Sequence, residues 1–110
     1  MMRLPTWNTS SPTSGSLEGA EHGSPVSVIV VDAAPGNGPD PHTHPYPETF
    51  VVQAGRGRFR LGEAAVEATA GDVVVVPAGT VHGFRSLGPE NLRLVAIHTA
   101  PRFDTTWVEG

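Results

Sequence analysis

Four side chains in this sequence have the chemistry to hold a metal ion together: His42, His44, Glu48 and His82. Three of them fall in one stretch, PDPHTHPYPETF, residues 39–50. Its four prolines exclude a helix or a central strand, because each fixes φ and removes a backbone donor. Side chains two apart on an extended segment point the same way, so His42 and His44 converge. Glu48 follows after the bend imposed by Pro45 and Pro47. His82 comes far along the chain, after PAGTV, and alternation from it puts Phe84 on the same inward, apolar face. Three imidazoles and one carboxylate suit a divalent first-row metal with positions left open for water or substrate. The plainer alternative is an irregular loop that holds histidines, with one buried acid satisfied by a hydrogen bond.

Glu48 is the residue that separates these readings. If Ala54-Gly55 is a two-residue turn, strand 48–53 folds back on strand 56–61 as a hairpin. Residues opposite each other then share a face. One face holds Glu48, Phe50, Val52, Gly57, Phe59 and Leu61; the other holds Thr49, Val51, Gln53, Arg56, Arg58 and Arg60. The first is the core face, and Glu48 is on it. A carboxylate aimed into an apolar interior is costly unless it is paired or bound to a cation. Arg58 and Arg60 fall outside and are poor candidates for gripping an anionic substrate.

The elements that must place these residues are short and β-rich. Ser27–Ala33, 48–53, 56–61, 64–68, 73–76, 82–86 and 92–99 read as strands, separated by Gly, Pro and Asn turns. Thirteen glycines and eleven prolines in 110 residues are too many for a helical bundle. Seven or eight closely spaced strands without a helix argue for an antiparallel sandwich or barrel. Residues 1–24 read as a flexible N-terminal arm, 25–100 as one barrel, and 101–110 as a tail that packs on the barrel or on a partner subunit.

Composition removes several function classes. No cysteine means no disulfide, no thiolate ligand and no cysteine nucleophile. All seven basic residues are arginines, so a Schiff-base lysine and a P-loop lysine are excluded. A net charge of −4 with no basic run gives no reason to expect nucleic acid. No apolar run approaches the roughly 20 residues that span a bilayer, and the N-terminus lacks a signal-peptide core. A cytoplasmic protein is expected.

The spacings resemble the cupin family. Its first motif is matched by Gly36, His42, His44, Glu48 and Gly55, and its second by Gly71, Pro77, Gly79 and His82, with Ser86 where asparagine is usual. The departure touches no ligand. The resemblance covers roughly residues 25–100 and implies a double-stranded β-helix, or jelly-roll barrel, with a divalent transition metal (Fe, Mn, Zn, Ni or Cu) held by His42, His44, Glu48 and His82. It also implies a homodimer. The runs VVVV and LVAI, apolar on both faces, point independently to a covering subunit.

Two further residues are candidates for catalysis. His98 shares a face with Leu92, Leu94 and Ala96, so it is either a general base or outer partner in the cavity or a buried histidine satisfied by a carbonyl. Tyr46, between two prolines beside the ligands, either lines the pocket mouth or packs on its rim. Phe103 and Trp107 are expected to close one barrel end or cover a neighbouring subunit. Three neutral histidines and one carboxylate leave a divalent ion with about one positive charge, suited to an enolate, phenolate or carboxylate. The expected function is a dioxygenase-type enzyme acting on such a small molecule. The alternatives are redox-neutral isomerisation or hydrolysis, and a non-catalytic module that binds a small ligand.

Overall fold

In a computed structural model, the described residues are 14–108, and they form ten strands and one short 3-10 turn at Gly19–His22. In chain order the strands are β1 (Gly15–Leu17), β2 (Ser27–Ala33), β3 (His42–Thr43), β4 (Glu48–Ala54), β5 (Arg56–Leu61), β6 (Ala64–Thr69), β7 (Val73–Val76), β8 (His82–Ser86), β9 (Leu92–His98) and β10 (Thr106–Trp107). They form two five-stranded antiparallel sheets, ordered β1-β2-β9-β4-β7 and β10-β3-β8-β5-β6, which face each other as a jelly roll. Of the expected arm, residues 1–13 lie outside the described residues, whereas 15–17 pair with β2. The tail lies on the barrel, with β10 paired to β3.

The hairpin expected at Ala54-Gly55 does not form. Both edges of β4 are taken, by β9 on one side and β7 on the other, and β5 is held between β6 and β8. The register of β4 against β9 shifts between Val52 and Ala54, and Gly55 follows at φ +78°. This bulge and one left-handed residue carry the chain around a corner into the opposite sheet. The in–out alternation survives, because both strands present alternate residues to the one shared interior. Thus Glu48, Phe50, Val52, Gly57 and Phe59 are buried, while Arg56, Arg58 and Arg60 are exposed. Phe50 and Phe59 meet across the interior at 5.3 Å between ring centroids, not as cross-strand neighbours.

Phe50, Phe59 and Phe84 form a mutual aromatic cluster, with the remaining pairs 5.5 and 5.3 Å apart. Val52, Leu92 and Leu94 fill the core around them. Each such fully buried side chain contributes about 1.5–3 kcal/mol. The cluster floors one end of the barrel interior, and above it, toward the other end, His82 lies 6.3 Å from Phe50.

The corner supplies a test. A Cβ on Gly55 would run into the Asn91 carbonyl oxygen, whereas one on Gly71, also at positive φ, would meet nothing within 4 Å. Gly55→Ala is expected to cost about 2–4 kcal/mol, from left-handed strain plus overpacking, and Gly71→Ala only about 1–2 kcal/mol. Urea unfolding of the two variants measures this; equal costs would mean that the corner tolerates a side chain.

Candidate metal centre

The topology brings two cross-strand pairs face to face. His42 on β3 is the register partner of His82 on β8, and Glu48 on β4 is the partner of His98 on β9. The first pair belongs to one sheet and the second to the other. His44 hangs between them on the segment that crosses from β3 to β4. The prolines of that segment give no donors, but its carbonyls are used: His44 O accepts from Gly79 N at 2.8 Å and Pro47 O from Thr99 N at 3.2 Å. The crossing is therefore anchored from outside while its side chains turn inward.

One potential donor atom from each of His42, His44, Glu48 and His82 lies within 4.8 Å of all the others, and all four residues are buried. The rings are held from behind. His42 Nδ1 lies 2.6 Å from Asp40 O, His44 Nδ1 2.8 Å from Asp104 O, and His82 Nδ1 2.8 Å from Thr80 O. A carbonyl only accepts, so each Nδ1 carries a hydrogen, and Nε2 is the nitrogen that each ring turns inward. Backbone-tied imidazoles of this kind are what metal-ligating histidines use to fix their tautomer.

Glu48 Oε1 faces this nitrogen group, 2.8 Å from His82 Nε2 and 3.2 Å from His44 Nε2. The His44 approach is off-line, and His44 Nε2 has no hydrogen-bond partner although it is buried. Glu48 Oε2 turns the other way, to His98 Nε2 at 2.8 Å. That contact is also off-line, and His98 Nε2 likewise lacks a hydrogen-bond partner. His98 Nδ1 lies 2.7 Å from Tyr46 Oη. The carbonyl partner considered for His98 is thus replaced by a tyrosine and a carboxylate.

The electrostatics follow from burial and these contacts. Burial by itself would raise the Glu48 carboxyl; His44, His82 and His98 around it outweigh that and hold it far below the usual carboxylate range. Burial holds His42 below the ordinary histidine value, against the Asp40 carbonyl, which favours its protonated form. Burial acts on His44 in the same sense, but Glu48 and the Asp104 carbonyl overcome it and raise its pKa. Burial also raises Tyr46, which keeps its phenolic proton. An ionised carboxylate and three inward nitrogens, one of them an orphaned polar atom, fit a divalent cation.

The group opens into a cavity of about 930 Å³. Ile29, Val31, Ala33, Phe50, Phe84 and Ala96 form its apolar wall, and His98 and Trp107 also line it. Trp107 lies 5.0 Å from the His42 ring at this end of the barrel and is 59% exposed. Tyr46 is buried behind His44 and does not line the cavity, which corrects the pocket-mouth alternative. Sequence reasoning did not find Asp40, Thr80 and Asp104. They act through main-chain carbonyls, which leave no mark on side-chain identity.

Residues 29–98 match the cupin domain, and the chain belongs to the cupin family. It is 30% identical over 76 residues to an uncharacterized protein of Streptomyces coelicolor, covering 69% of this chain and 70% of that one. Among solved structures it resembles an uncharacterized conserved protein with a double-stranded β-helix domain from Klebsiella pneumoniae, at a TM-score of 0.79 and 23% identity, covering 100% of this chain and 97% of that one. It also resembles an oxalate oxidase, at a TM-score of 0.77 and 26% identity, covering 92% of this chain but 58% of that one. The fold is thereby the cupin double-stranded β-helix.

Metal uptake should be pH-dependent. A proton on His44 must leave before that nitrogen can serve as a ligand, and its raised pKa keeps the proton competitive toward neutrality. The thermal stabilisation produced by added Mn(II) or Co(II) is therefore expected to grow from about pH 5.5 to about pH 8. His82→Ala should abolish the effect at every pH. Differential scanning fluorimetry with and without metal reads both; a pH-independent shift that persists in His82→Ala would show binding elsewhere.

Proposed function

We propose that this cupin holds a divalent transition metal through His42, His44, Glu48 and His82 and acts as a dioxygenase-type enzyme on a small enol, phenol or carboxylate. The observation that carries the reading is the set of three imidazoles tied at Nδ1 by backbone carbonyls, with their opposite nitrogens turned onto one ionised carboxylate beside an apolar cavity. When bound, the metal supplies a Lewis acid able to take an anionic oxygen and, if it is redox-active, to engage dioxygen.

The chain's own residues define what enters. Ile29, Val31, Phe50, Phe84 and Ala96 exclude water from the space beside the ligands and accept a hydrocarbon body. Arg85 is the one arginine in the lining, and it is already engaged. Its Nη1 donates to the carbonyls of Gly38, Pro39 and Phe84, and its Nη2 pairs with Asp40. Among the described residues no other arginine lines the cavity to receive a second carboxylate. The favoured substrate carries a single anionic oxygen on an apolar frame, rather than two carboxylates as in oxalate. His98, with its ring on the cavity, turns Nε2 to within 2.8 Å of Glu48 Oε2.

The partner we propose is a second copy of the chain, in the cytoplasm. The outer face of the β1-β2-β9-β4-β7 sheet carries Val28, Val30, Val51, Val95 and Ile97 in paired rows, extended by Val73 and Val75, which are 58% and 57% exposed. An apolar face that crosses four strands is a natural isologous contact.

Two experiments test these readings. Iron-loaded protein is expected to consume oxygen with simple enols or catechols and to be at least about tenfold less active with oxalate. Oxygen electrode assays across such a panel decide; turnover that survives zinc substitution without oxygen would replace the dioxygenase by a redox-neutral enzyme, and saturable binding without turnover by a binding module. Light scattering should give a dimer that Val75→Arg converts to monomer with metal content unchanged. A wild-type monomer at assay concentrations would remove the second copy.

A further inference from the structure

The main chain of Asp104, in the tail beyond the barrel, reaches both halves of the site. Its carbonyl oxygen accepts from His44 Nδ1 at 2.8 Å. Its N–H donates to Tyr46 Oη at 3.3 Å, and Tyr46 Oη lies 2.7 Å from His98 Nδ1. His98 Nε2 then lies 2.8 Å from Glu48 Oε2. One set of directions suits every contact. With Nε2 2.8 Å from the carboxylate, though not aligned as a hydrogen bond, a neutral His98 that turns its hydrogen toward Oε2 leaves Nδ1 to accept. Tyr46 therefore donates its O–H to His98 and receives the Asp104 N–H on a lone pair.

The consequence falls on Glu48. Oε1 is the oxygen within reach of His82 and His44, while Oε2 is turned aside against His98. We propose that Tyr46 and His98 are positioning residues that hold Glu48 as a one-oxygen ligand, and that the Asp104 main chain ties this arrangement and the His44 tautomer together. This rests on the metal-site reading above. Keeping Oε2 off the ion leaves coordination positions for substrate.

The tail is docked for such a role. Pro101 O accepts from Ala20 N at 2.8 Å, and Phe103 N donates to Glu18 Oε2 at 2.9 Å. The Phe103 ring meets His98 edge-on at 4.9 Å, and Thr105 Oγ1 is 3.3 Å from His44 Nδ1. Beyond it, β10 pairs with the strand that carries His42. Residues 103–107 thus touch three of the site's five inward groups directly.

Co(II) loading tests the proposal with readouts independent of activity. Tyr46→Phe keeps the ring that stacks on His44 and removes only the hydroxyl. It is expected to weaken Co(II) affinity about 10- to 100-fold, as loss of an outer partner does. Its visible d–d absorption should also weaken, because Oε2 is freed to join the ion and raise its coordination number. His98→Leu should do the same, and His98→Gln, which restores an N–H toward Oε2, should recover part of the wild-type spectrum and affinity. Wild-type affinity and spectrum in Tyr46→Phe would overturn the proposal, even if the metal-free variant melts lower. His42→Ala separates the two failures: wild-type protein that takes up no Co(II), or takes it up equally well in His42→Ala, would overturn the metal reading itself.

Discussion

The structure is organised around one expensive object, the ionised Glu48 side chain, 4% exposed inside the barrel. An isolated carboxylate there would take up a proton instead of staying charged. It remains ionised because three imidazoles stand within contact of its two oxygens. Those imidazoles are themselves buried polar groups, and each needs a second partner. The demand passes outward, from the carboxylate to rings and from rings to Thr80, Asp104 and Tyr46.

The two-sheet architecture makes the convergence possible. A single antiparallel sheet would place His42 and His82 beside one another but leave Glu48 nothing to face. Two sheets that share an interior set the His42–His82 pair against the Glu48–His98 pair, and His44 reaches in from the crossing. Gly55 contributes from a distance. By turning the chain out of one sheet into the other, it lets consecutive strands β4 and β5 line opposite walls. The aromatic cluster of Phe50, Phe59 and Phe84 then fixes the spacing of those walls beneath the site. Close packing there leaves the walls little freedom to drift.

Much of this was legible in the sequence. Strands over Ser27–Ala33 and 73–76 coincide with the observed β2 and β7 because β-branched runs between turn residues leave few alternatives, and 56–61 coincides with β5 through its strict polar–apolar alternation. The inward aim of Glu48 followed from alternation read through an inferred hairpin. The pairing inferred for it was wrong, since a short glycine turn looks the same whether the chain doubles back or crosses to another sheet. Alternation is a local property of one strand, and pairing depends on which edges distant strands have already taken. The Asp104 tie was illegible for a related reason. It uses an amide hydrogen and a carbonyl oxygen that any residue other than proline supplies. Tyr46 and His98 were visible as candidates, but nothing in their spacing says that they touch.

The site divides into a fixed side and a permissive side. The fixed side is polar and doubly tied: β3, β4, β8 and the crossing from β3 to β4 carry the ligand side chains, and the main chain of Asp40, Thr80 and Asp104 holds their rings. The permissive side is β2, which supplies Ile29, Val31 and Ala33 to the cavity wall. Arg85 braces the loop after β2 through its carbonyls at Gly38 and Pro39, so its shape is held without a charge offered to the cavity. Substitutions on β2 therefore alter what fits without disturbing what binds the ion. That separation gives a physical reason why one barrel can carry many chemistries. It also locates selectivity in this chain: the carboxylate and its imidazoles decide that an anionic oxygen is held, and the hydrocarbon wall of β2 decides whose oxygen it is.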